Sequence, residues 1–136
     1  MQNKENKIKE LWENAVKLYK GKDFKNSYEI CKQIAAVAPN FPDSYHLTAL
    51  MFLNTGKIKQ AEQFISKSLL LKPTNPTFLN TAAKISSVSG DVEKAFYYLD
   101  KAEEIFPKYF KTYNLKAKLF ALQEKYEEAA EYYQKT

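Results

Sequence analysis

Arginine is absent from this chain: all 21 basic residues are lysine. Bidentate recognition of phosphates and base edges leans on the planar guanidinium fork. The lysines are also spread along the chain, so the net charge of +5 reads as a solvated surface, and nucleic-acid binding is not expected. Cysteine occurs once, as Cys31, which excludes an internal disulfide and fits a reducing, cytoplasmic setting. Three glycines and five prolines are too few for a turn-rich β fold. No apolar run approaches the roughly 18 residues that span a bilayer, so no membrane insertion is expected. The opening stretch, MQNKENKIKE, holds no apolar segment of the kind a secretory leader carries.

Catalytic signatures are equally sparse. The one histidine, His46, has no companions at the spacing that zinc binding or general-base work requires. Cys31 falls on the apolar face of its helix and reads as a small core residue. There is no glycine-rich phosphate loop and no G-x-S-x-G turn. The acidic pairs Glu103–Glu104 and Glu127–Glu128 are neighbours on helices, where adjacent side chains point apart, and they read as solvated surface. No active site, metal or cofactor is expected.

What the chain does have is a period. Ala15, Ala49, Ala83 and Ala117 are 34 residues apart; so are Ser27, Ala61, Ala95 and Ala129, and so are Pro39, Pro73 and Pro107. A fixed step of this length is the mark of a stacked array, each unit of which buries its apolar face against its neighbours. Within each unit, apolar residues at helical spacing occur twice, separated by a short break. The breaks are Gly21-Lys22-Asp23, Gly56, Gly90-Asp91 and Glu124-Lys125. Pro42 and Pro76 suit the first turn of a helix, and Pro39, Pro73 and Pro107 stop one. Small residues at the alanine positions let backbones approach, and Phe24, Ile58, Val92 and Tyr126 are expected to fill the gap between a pair and its neighbour. Residues 1–7 are polar and are expected to be a frayed or disordered start. The repeat domain then occupies 8–136, in units 8–41, 42–75, 76–109 and 110–136.

In that frame the sequence resembles the tetratricopeptide repeats. The large residue at the family's fourth position is Leu11, Tyr45, Leu79 and Tyr113, and the small residue at the eighth is alanine in all four units. The eleventh, usually aromatic, is Leu18, Phe52, Ser86 and Phe120. The resemblance implies an all-α, right-handed superhelix of about eight helices stacked as antiparallel pairs. Four departures stand out. Ser86 replaces a core aromatic, so the third unit is expected to be looser or hydrogen-bonded there. Ile34 sits where alanine is usual, implying a changed spacing or twist between the first two units. Asn14 and Lys116 replace leucine at the seventh position. The last unit stops within its second helix with no polar cap. Either the chain is the opening part of a longer protein, or a partner or second copy covers the last pair.

The resemblance further implies that the first helix of each unit lines a concave groove. Groove positions in the first unit include Trp12, Val16 and Tyr19. In the second they include His46, Leu47, Leu50 and Leu53. In the third and fourth they include Asn80, Lys84, Asn114 and Lys118. The groove thus begins apolar and ends polar and basic. A protein or peptide partner would set apolar side chains against Trp12, Leu50 and Leu53, and carboxylates near Lys84 and Lys118. Repeats that clamp the acidic tails of heat-shock chaperones carry lysine and asparagine where Trp12 and Val16 stand, so that role is disfavoured. The expected role is a non-catalytic interaction module. The alternative is the front of a larger bacterial enzyme, presenting substrate or mediating oligomerisation. The stretch from Ile30 through Pro39 to Leu47 looks like repeats that precede bacterial glycosyltransferase, sulfotransferase or methyltransferase domains.

Overall fold

A computed structural model describes residues 2–136. Among them are eight α-helices and no strand: α1 (Gln2–Lys20), α2 (Phe24–Val37), α3 (Pro42–Asn54), α4 (Ile58–Leu71), α5 (Pro76–Val88), α6 (Val92–Ile105), α7 (Phe110–Leu122) and α8 (Tyr126–Gln134). They form two compact units, Met1–Leu71 and Lys72–Thr136. In the first, α1 packs on α2 and α3 on α4, with α2 and α1 both touching α3. The second repeats the pattern: α5 packs on α6 and α7 on α8, with α6 and α5 both touching α7.

Local chemistry sets the helix ends. Pro42 and Pro76 open α3 and α5, where a missing backbone donor costs nothing. Asp23, Asn75 and Asp91 cap α2, α5 and α6, their side chains accepting from the backbone N–H of Asn26 at 3.3 Å, Phe78 at 3.1 Å and Lys94 at 3.0 Å. Each pair turns through one residue in the left-handed region: Lys22 (φ 64°), Gly56 (φ 77°), Gly90 (φ 90°) and Glu124 (φ 61°). Those four positions are themselves 34 residues apart.

The recurring small residues are where the helices touch. Ala15, Ala49 and Ala117 are fully buried, as are Ser27, Ala61 and Ala95. Ser27 shows how close the approach is, since its hydroxyl donates to the carbonyl of Ala15 at 2.8 Å, fastening α2 to α1. Ser68 fastens α4 to α3 in the same way, donating to the carbonyl of Pro42 at 3.0 Å. Ser86 is buried and hydrogen-bonded to the carbonyl of Ala82 at 2.8 Å, so it satisfies itself along its own helix. Ile34 is fully buried as well.

Two expectations are corrected. The frayed start is, from Gln2 onward, the first part of α1; Met1 lies outside the described residues. Lysine, glutamate and glutamine are good helix formers, and the extra turns run alongside the end of α2. There Lys4, Lys7, Ile8, Leu11, Ala36 and Val37 line an open cleft of about 610 Å³. Tyr126 does not fill an inter-pair gap. Phe24 and Val92, its counterparts, pack against core clusters, whereas Tyr126 is 66% exposed.

Candidate functional site

In the first unit the expected apolar residues gather on α1 and α3 around a core of Ala15, Cys31, Leu47 and Met51. Trp12, Val16, Tyr19 and Leu50 are partly exposed and pack on that core. The indole of Trp12 meets the ring of Phe41 edge-on, at 5.3 Å and 84°. Trp12 and Val16, with Glu13, Lys17 and Lys20, line a cleft of about 370 Å³. Tyr19 spans the face: its ring lies 5.4 Å from Phe24, and its hydroxyl accepts from the Asn54 amide at 3.0 Å, tying α1 to α3. His46 and Leu53 are half-buried. Leu47 is only 5% exposed, so it backs the face instead of lining it.

The polar residues fall in the second unit. Lys84 and Lys118 are exposed, and Asn114 is half-buried. Each lysine follows an asparagine by four residues, so Asn80–Lys84 and Asn114–Lys118 form equivalent pairs on α5 and α7. Asn80, however, is 6% exposed and is held by α7: its Oδ1 accepts from the Thr112 hydroxyl at 3.0 Å. Its Nδ2 is buried without a hydrogen-bond partner. Asn80 therefore braces α5 against α7 behind the face that carries the two lysines.

A cluster that the sequence reading missed fixes α7. Lys116 is 6% exposed, and its ammonium donates to Asp100 Oδ1 at 2.7 Å, Glu103 Oε1 at 2.7 Å and the Tyr132 hydroxyl at 3.0 Å. Burial pulls the pKa of this ammonium down, but the hydrogen bonds it donates to Asp100, Glu103 and Tyr132, with the nearby charge of Asp100, outweigh that and hold it above its ordinary value. Glu103 is thus an internal ion partner, not solvated surface. The cluster joins α6, α7 and α8 and so positions Asn114 and Lys118. A signal was present: Asp100 and Glu103 are three apart on one face of α6, at the register that faces the next helix.

Cys31 is buried, and burial pushes its thiol up to about 11, although a hydrogen bond with Thr48 works the other way. It is protonated and unreactive at neutral pH. No helix among the described residues is long and apolar enough to cross a membrane.

Helix pairs on a 34-residue step, with small residues at every close approach, define an all-α tandem-repeat protein. Residues 42–75 match the sequence model of the tetratricopeptide repeat, and the chain has the fold of proteins that contain that repeat. The solved structure of PilF from Pseudomonas aeruginosa superposes with a TM-score of 0.88 at 16% identity, covering 98% of this chain and 61% of that one. MamA from Desulfovibrio magneticus gives 0.80 at 15% identity, over 94% of this chain and 72% of that one. A mutant O-GlcNAc transferase from Thermobaculum terrenum gives 0.81 at 21% identity, over 86% of this chain but only 22% of that one. A search of curated proteins by sequence found no match.

Proposed function

We propose that this chain is a non-catalytic module that binds a protein or peptide on the faces carried by the first helix of each pair. Two subsites serve it. The first, on α1 and α3, takes apolar side chains against Trp12, Val16, Leu50 and Leu53. The second, on α5 and α7, takes carboxylates at Lys84 and Lys118, with Asn114 donating to the partner's backbone. The carrying observation is the cleft beside Trp12, where a large aromatic stands partly exposed over a packed core. Aromatics in such settings dominate binding energy, at about 2 kcal/mol or more each.

The chain's single tryptophan makes the test direct. Titration with acidic peptides carrying apolar anchors is expected to shift Trp12 fluorescence. Val16→Asp should abolish the shift, and Lys84→Glu with Lys118→Glu should weaken binding at low salt. Peptides that bind with no change in Trp12 emission would move the site elsewhere. The similarity to O-GlcNAc transferase favours a second reading, in which these repeats are the non-catalytic front of a larger enzyme. Under that reading the same two faces present substrate to the catalytic part.

A further inference from the structure

In each helix pair the start of the first helix lies beside the end of the second, and the pairs close this junction differently. Three repeat positions decide it. They are Leu11, Tyr45, Leu79 and Tyr113 on the first helix, with Ile30, Phe64, Tyr98 and Tyr132, and Gln33, Lys67, Lys101 and Lys135, on the second side. In the second pair the Tyr45 and Phe64 rings stack at 6.5 Å, and the Lys67 ammonium lies over both, 5.6 and 4.8 Å from their centroids. In the fourth, Tyr113 and Tyr132 are 5.9 Å apart beneath Lys135, which lies 5.5 and 4.2 Å from them. The first pair has neither the rings nor the cation; it carries Leu11, Ile30 and Gln33. Its junction stays open as the cleft of about 610 Å³ between α1 and α2, with Leu11 and Gln33 in the lining. The groups that close the other junctions belong to the same pair, so the opening is set by the residues at 11, 30 and 33 and not by what stands before α1.

The lining divides by chemistry. Ile8 and Leu11 on α1 face Ala36 and Val37 on α2 as apolar walls, while Lys4 and Lys7 stand exposed at the rim. No carboxylate lines the cleft. Among the described residues neither lysine has an ion pair, and Glu29, one turn before Gln33, is taken by Lys32 at 3.1 Å. We propose that the cleft binds a straight-chain fatty acid, with its alkyl chain between the apolar walls and its carboxylate at Lys4 and Lys7. The volume falls in the range of small-molecule sites, about 300–1,000 Å³. A peptide strand fits worse. The helices on either side satisfy their own backbone groups, and Gln33 is the one uncharged polar side chain in the lining, so a strand's buried amides would go unpaired. An alkyl chain has no such groups. The cleft shares no lining residue with the one beside Trp12, so this proposal and the peptide-binding reading are tested separately.

Decanoate, kept below its micellar concentration, is the probe, titrated into the full chain and followed by amide chemical shifts. Shifts are expected to gather in the first half of α1 and the last turn of α2. Decanol, which has the same chain without the charge, should bind about tenfold more weakly. Lys4→Gln with Lys7→Gln should weaken decanoate about tenfold and leave decanol unchanged. Both lysines are exposed, so that loss cannot come from misfolding. Leu11→Tyr with Gln33→Lys installs the closure of the second pair and should abolish binding of both probes, with helical circular dichroism unchanged. Decanoate that produces no shifts at these residues would overturn the proposal, as would binding that survives both double substitutions. An acidic amphipathic peptide that shifts these residues where decanoate does not would overturn it too, by assigning the cleft to a protein.

Discussion

Lys116 occupies a position where this repeat usually carries leucine, and its surroundings have been rebuilt around a charge. A buried ammonium is tolerable only while its partners stay. Glu103→Ala is expected to lower stability by about 2 kcal/mol in urea unfolding, because the charge left behind stays desolvated. Lys116→Met removes the charge itself and should be neutral or stabilising within about 1 kcal/mol; a large loss there would mean that the cluster contributes net stability. Cys31 gives a prediction of opposite character. Its folded pKa of about 11 lies above the ordinary 9.0, so the folded chain holds that proton more tightly than the unfolded one. Its contribution is flat below pH 9 and is lost as pH rises toward 11, by at most about 3 kcal/mol. Other groups titrate there too, so the measurement is the difference from Cys31→Ala, whose stability curve should lack that part of the fall. At pH 8 a thiol reagent should label Cys31 only as fast as the first unit opens.

At the level of the element, the turns show which features the sequence discloses and which it hides. The alanine and proline periods are legible because close helix approach and helix termination each admit few residue types. The left-handed turn position is legible in two units, as Gly56 and Gly90, and hidden in two, where Lys22 and Glu124 hold the same conformation against their side chains. An L residue there costs about 1–2 kcal/mol, and replacing it with glycine returns part of that gain to the unfolded chain as entropy. Lys22→Gly and Glu124→Gly should therefore each stabilise by about 0.5–1 kcal/mol, read as a raised urea midpoint at constant slope. Gly56→Lys should destabilise by a similar amount. The start of α1 was hidden for a different reason: a polar first turn looks the same whether it is free or laid along α2. The burial of Leu47 and Asn80 was hidden because a helical wheel does not show how deeply two neighbouring first helices interleave. The Lys116 cluster joins residues 13, 16 and 16 positions apart on three helices, so no local pattern reveals it.

For the molecule as a whole, a repeat array is held together by its own pairs and by nearest-neighbour contacts, so its stability need not be uniform. The helix with least support is α8. It has nine residues, one buried side chain, and no side-chain cap on Lys125 at its start. By contrast, α2 is capped by Asp23, buries Ser27, Cys31 and Ile34, and is packed between α1 and α3. Amide hydrogen exchange should follow that difference, with α8 exchanging through opening of low free energy while α2 and α3 hold protons to near the global limit.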